Sequence, residues 1–168
     1  WGLIPSWAKD PTIGNRMINA RAETVATKPA FEGAFKHRRC LIPADGFYEW
    51  QKTGSRKQPY YIGRRDGSVF AFAGLWERWA DEGHDPIETF TIITTTPNDL
   101  LAPIHDRMPV ILPTDRYDEW LDPANTETEA LQSLLGPAPA ADLTATPVST
   151  YVNSPHNEGP ECVRPLEQ

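Results

Sequence analysis

Proline interrupts this chain seventeen times in 168 residues, and glycine another eleven. Each proline fixes φ and removes a backbone donor, so long helices and long central strands cannot run between them. What remains open to the chain is a set of short elements joined by turns. Pro29 can open a short helix with Phe31 and Phe35 stacked at i, i+4. Runs at 39–42, 46–51, 59–62, 68–75, 88–95, 108–112 and 143–149 read as strands. Turns are expected at Lys52-Thr53-Gly54-Ser55 and at Arg65-Asp66-Gly67. Thr96-Pro97-Asn98-Asp99 looks like a helix start that must end before Pro103. Further helices are expected at 114–121 and at 125–135, the latter with Thr126 and Glu129 as a capping box and Gly136 as its stop. The pattern predicts an α+β fold, with a largely antiparallel, curved or barrel-like sheet and a few short helices, in one domain over 1–168.

Composition narrows the function classes. Two cysteines with no Cys-x-x-Cys spacing argue against a zinc ribbon or a secreted disulfide scaffold. The histidines at 37, 84, 105 and 156 lack metal-ligand spacing, so neither metal nor cofactor is expected. No apolar run approaches the roughly 18–20 residues a membrane span needs. A reduced cytosolic compartment is the default. The net charge of −7 speaks mildly against nucleic acid, but the charges are unevenly placed. Acids crowd 115–129, whereas Arg16, Arg21, Lys28, the 36–39 Lys-His-Arg-Arg run and Arg107 are basic. A local basic groove can hold a short single strand in a salt-dependent way. The 36–39 run reads equally as a helix C-terminus whose cations favour its dipole.

Three segments carry candidate chemistry. In Ala44-Asp45-Gly46-Phe47-Tyr48-Glu49-Trp50, a carboxylate lies among three aromatics. Burial there would raise its pKa toward values useful for proton transfer. On a strand, Glu49 shares a face with Phe47 while Tyr48 and Trp50 point the other way. The alternative is a half-buried strand whose glutamate reaches solvent or an arginine. Ile104-His105-Asp106-Arg107-Met108-Pro109 puts a histidine at a loop-to-strand junction, where it either works as acid or base or merely satisfies a turn. Ile18-Asn19-Ala20-Arg21-Ala22-Glu23-Thr24, if extended, lines Asn19, Arg21 and Glu23 along one face. That face is either a phosphate-reading surface or an exposed loop with an Arg21–Glu23 ion pair.

Taken in order and spacing with Trp1-Gly2-Leu3-Ile4-Pro5-Ser6-Trp7 and the tail 152–161, these segments resemble the SOS-response-associated peptidase (SRAP) family of abasic-site processing proteins. The resemblance covers essentially the whole chain and has definite implications. An N-terminal cysteine, exposed by autocatalytic removal of the initiator Met from a Met-Cys-Gly-Arg start, attacks the ring-opened abasic sugar of single-stranded DNA. A Schiff base forms and closes to a thiazolidine. Glu49 would be the catalytic acid/base, His105 would assist proton transfer, and Asn19 would orient the cysteine. Arg21 and Arg107 would bind flanking phosphates, with Trp7 and Thr94 also at the DNA. Ala8 stands where some relatives carry a second tryptophan. The chain begins at Trp1, so it is expected to be an N-terminally truncated member unable to cross-link. Cys40, in an apolar strand-like context, and Cys162 cannot replace an N-terminal amine-thiol. A monomer in the cytoplasm, at the nucleoid when on DNA, is expected. The competing readings are a non-covalent single-strand binding module and a peptidase acting on other proteins, although no serine or cysteine nucleophile is paired for the latter.

Overall fold

In a computed structural model, residues 1–81 and 85–166 are described; His84, one of the four histidines, lies outside them. In chain order the elements are β1 (Asn19–Arg21), α1 (Glu32–His37), β2 (Arg39–Ala44), β3 (Gly46–Thr53), β4 (Arg56–Arg64), β5 (Phe70–Trp79) and β6 (Ile87–Thr95). They continue with β7 (Met108–Pro109), β8 (Ile111–Leu112), α2 (Tyr117–Leu121), α3 (Thr128–Gln132) and β9 (Leu143–Pro147). The architecture is the expected α+β, with two mostly antiparallel sheets and few short helices.

Backbone packing divides the chain into two compact units, one of residues 1–43, 71–95 and 109–137, the other of 44–70, 96–108 and 138–168. The first is built on a sheet ordered β1-β6-β5-β2, with β7 against β6 and β8 against β5. Its core joins Phe31 and Phe35 of the α1 region to Trp120, Leu131 and Leu135, against Ala73, Leu75 and Ile93 of the sheet. Phe35 and Trp120 are both fully buried, their rings 6.0 Å apart. Most of the fold follows antiparallel patterning, but β1 runs parallel to β6, pairing Asn19 with Ile92 and Arg21 with Thr94.

The second unit is built on the sheet β3-β4-β9, antiparallel throughout. Its β3–β4 hairpin turns at Gly54, whose φ of +62° suits glycine. The Asp66-Gly67 turn also forms, with Gly67 at φ +70° and Asp66 Oδ1 accepting from both the backbone N–H (2.9 Å) and the hydroxyl (2.7 Å) of Ser68.

Two helix expectations are corrected. The 96–99 segment starts no helix. Asn98 caps a turn, its Oδ1 accepting from Leu101 N–H at 3.0 Å, and the Ile104 and His105 N–H groups close on the Leu101 carbonyl. Nor does Thr126 form a capping box. Helix α3 begins at Thr128 with no side-chain cap, because Asn125 Oδ1 takes the Glu127 N–H into a local turn instead.

Candidate active site

The β3–β4 register places Glu49 opposite Tyr60 and Tyr48 opposite Tyr61. The Tyr48 ring packs on Trp50 at 6.2 Å and on Tyr61 at 5.6 Å, so the even-numbered aromatics occupy one face of β3. A side chain on Gly46 would overlap the Tyr61 ring, which explains the glycine three residues before Glu49. Glu49 is left on the other face with Gln51. Its side chain is 19% exposed and its Oε2 lies 3.8 Å from His105 Nδ1. Burial pushes the Glu49 carboxyl above its ordinary value. The nearby Asp106 adds to that rise, while His105 and the Trp50 backbone N–H oppose it.

His105 sits at the end of the Asn98-capped turn, and its ring is tied back on its own chain. Nδ1 lies 3.1 Å from the Arg107 N–H, 3.2 Å from the Arg107 carbonyl and 3.3 Å from Asp106 Oδ1. A neutral ring accepts the Arg107 N–H at Nδ1 and keeps its proton on Nε2. A protonated ring donates from Nδ1 to the carbonyl or to Asp106. Both charge states are therefore held in nearly one orientation, which suits a group that moves protons. Arg107 is half-buried. Its backbone N–H orients the histidine whatever its guanidinium does. A cavity of about 360 Å³ opens beside His105, lined also by Trp50, Lys52, Pro103, Ile104 and Asp106. Lys52 and Gln51 belong to none of the motifs that single out Glu49 and His105 in the sequence. Strand alternation alone puts Gln51 on Glu49's face, and that was the available signal.

The remaining candidates belong to the first unit. Its N-terminal motif is a backbone clasp for β1. Trp1 Nε1 donates to the Ile18 carbonyl at 2.7 Å, Leu3 N–H to Met17 at 3.1 Å, and Gly2 N–H to Phe90 at 2.9 Å. Gly2 has φ +120°, and a Cβ there would stand 2.5 Å from the Gly14 carbonyl oxygen. On β1 the burial alternates, with Asn19 and Arg21 exposed and Ala20 buried. Glu23 lies beyond the strand, in a turn, so the shared face comprises Asn19 and Arg21 only. Thr94, opposite Arg21, is 9% exposed, and its hydroxyl is 3.4 Å from the Ala20 carbonyl. Trp7 is 60% exposed. Ala8 is buried, its carbonyl accepting from the Trp79 indole at 2.7 Å.

Half of the 36–39 basic run is structural. Arg39 is buried, and its guanidinium donates to the carbonyls of Phe35 (2.8 Å) and Lys36 (2.6 Å) in the last turn of α1. It also reaches the carbonyls of Trp120, Asp122 and Asn125 around the end of α2. Arg38 pairs with Glu77 at 2.8 Å. Lys36 and His37 remain exposed. Burial pushes the Cys40 thiol up to about 11, so it is inert as a nucleophile at neutral pH. Among the described residues no group of three His, Cys, Asp or Glu is placed to hold a metal ion, and no helix is long and apolar enough to cross a membrane.

Comparison with known proteins adds the following. Residues 1–155 match the family described as SOS response associated peptidase (SRAP). The abasic site processing protein YoqW of Bacillus subtilis is 52% identical over 164 residues, covering 97% of this chain and 73% of that protein. The abasic site processing protein YedK of Escherichia coli is 35% identical over 167 residues, covering 99% of this chain and 73% of that protein. A crystal structure of a protein from Bacteroides thetaiotaomicron superposes with a TM-score of 0.90 at 34% identity, covering 99% of this chain and 75% of that one.

Proposed function

The chain belongs to the SOS response associated peptidase (SRAP) family, and on that premise we propose that it serves the processing of abasic sites in single-stranded DNA. The observation that carries this reading is the carboxyl of Glu49, largely withdrawn from water, raised in pKa and 3.8 Å from His105. A carboxyl whose pKa is raised by burial holds its proton over a wider pH range than a free one, and can protonate the ring oxygen of a closed deoxyribose and open it to the aldehyde. The nucleophile in this reading is the family's N-terminal cysteine. Its amine condenses with the aldehyde, expelling water, and its thiol then adds to the imine carbon to close a thiazolidine. His105 relays protons to and from Glu49. Asn19 orients the cysteine, Arg21 and Arg107 neutralise flanking phosphates, and Trp7 offers an indole for stacking. Thr94, beside Arg21 in the β1–β6 register, completes this DNA face. Removal of an initiator Met would expose the cysteine. The working unit is a monomer in the cytoplasm, on the nucleoid when DNA is bound.

The test is a denaturing gel with an oligonucleotide bearing one abasic site. The chain extended by the family's Met-Cys-Gly-Arg segment ahead of Trp1 should give a heat-stable shifted band, and the chain without it should not. Reducing the abasic site to its alcohol should abolish the band. Glu49→Gln in the extended chain should slow band formation by about 10²–10⁴-fold. No band from the extended chain would overturn the covalent reading, and an undiminished rate in Glu49→Gln would remove the role of Glu49.

A further inference from the structure

We propose that Gln51 is a positioning residue that, together with Tyr60, pins the loop carrying His105 against the strand carrying Glu49. Gln51 lies two residues past Glu49 and so projects from the same side. Its Nε2 donates to the Pro103 carbonyl at 3.0 Å, and its Oε1 accepts the Tyr60 hydroxyl at 3.2 Å. A carbonyl cannot donate, so the amide has only one orientation that serves both partners. Tyr60 stands directly opposite Glu49 on β4, and its hydroxyl reaches diagonally to Gln51.

The loop needs such a restraint. Between the Asn98 turn and β7 it has no sheet partner before Met108. Asn98 anchors its start, with Oδ1 on the Leu101 N–H and Nδ2 donating to the Ala138 carbonyl at 2.8 Å. Leu101 is fully buried beneath it. Past that point the chain turns outward through exposed Ala102 and Pro103 before reaching His105. Pro103 has no N–H of its own. Its carbonyl is held by Gln51, two residues before the histidine. The relay Tyr60–Gln51–Pro103 thus sets the distance across which Glu49 and His105 meet. The charged and titratable groups facing Glu49 are His105 and Asp106 from the loop, and Tyr60 from β4.

The inference deepens the proposed function and rests on it for the meaning of a reaction rate, but not for its structural readout. Gln51→Met keeps the length of the side chain and removes both polar atoms; Tyr60→Phe removes one hydroxyl and keeps the ring. In the extended chain, Gln51→Met should slow processing roughly tenfold, short of the ~100-fold that a misplacement of about 1 Å can cost. Tyr60→Phe should slow it about threefold, and the double variant should match Gln51→Met, since both act on one relay. Affinity for the oligonucleotide should hold. In the chain without DNA, NMR titration of the Glu49 carboxyl should move to higher pH in Gln51→Met, because the opposing influence of His105 is weakened. Additive rate effects, or a Glu49 titration that stays put while only stability falls, would overturn the proposal. If Gln51→Met does not fold, an unmoved Glu49 titration in Tyr60→Phe overturns it alone. A shifted titration in a protein with no activity on abasic DNA would keep the relay and sink the proposed function instead.

Discussion

At the scale of single residues, Glu49 and its neighbours make a definite statement about pH. Burial raises the Glu49 pKa above that of the same carboxyl in the unfolded chain. Stability from this group is therefore fully present below the unfolded value and is lost as pH rises through the folded one. Glu49→Gln should flatten that part of the stability-against-pH curve in thermal unfolding scans, with its gain over the parent appearing on the alkaline side. Asp106→Asn removes a contribution that raises the Glu49 pKa, so the Glu49 titration should move to lower pH; an unmoved titration would show that the two carboxyls are not electrostatically linked. The raised carboxyl was legible in the sequence, because it lies in an apolar-rich strand whose alternation turns it to the face of Phe47, away from Tyr48 and Trp50. Its histidine partner was legible only as a type. Nothing in residues 104–109 states that His105 Nδ1 would turn back onto Arg107, since that geometry depends on the Asn98-capped turn and on the Gln51 contact with Pro103.

At the scale of elements, the hairpins and the helices at 32–37 and 114–121 were legible, while the helix readings at 96–99 and 125–135 were not. A turn such as Asp66-Gly67-Ser68 is decided by a few adjacent atoms, so local chemistry is enough to find it. The 125–135 segment carries the letters of a capped helix, yet only 128–132 is helical, because Asn125 offers the backbone a competing turn. Strand β5 runs on to Trp79, past the expected end at 75, because Trp76 to Trp79 pair with Phe90 to Ile87. That extension buries Glu77, which Arg38 neutralises. The parallel pairing of β1 with β6 left no local trace at all. The 36–39 run read equally as a DNA contact and as cations at a helix C-terminus, and Arg39 takes the second part: in the fold it gathers five carbonyls at two helix ends. Arg39→Met should cost about 3 kcal/mol or more, read as a drop in the denaturant midpoint, since several buried carbonyls lose their donors. A loss below ~0.5 kcal/mol would mean that water replaces the guanidinium freely.

At the scale of the whole molecule, a net charge of −7 sets the background against which any DNA contact must work. Arg38 and Arg39 are committed to the fold, and the phosphate contacts proposed above are Arg21 and Arg107. Two phosphates on a single strand correspond to a slope of log K against log salt near −1.4, at about −0.7 per contact. Arg21→Gln should reduce that slope by roughly 0.7 in a fluorescence anisotropy titration across salt concentrations. A much steeper slope would reveal a larger basic footprint, and an unchanged slope would remove Arg21 from it.

The parallel pairing of β1 with β6 also bears on how the protein is made. Asn19 is hydrogen-bonded into its sheet only when Ile92 is available, and Gly2 docks on Phe90. A ribosome delivers roughly 5–20 residues per second. The segment from Trp1 to Arg21 must then wait several seconds in the cell as a tethered, partnerless stretch before the strand that accepts it has been synthesised. Birth order and assembly order are opposed here: a segment translated some seventy residues ahead of β6 is ordered only once β6 exists.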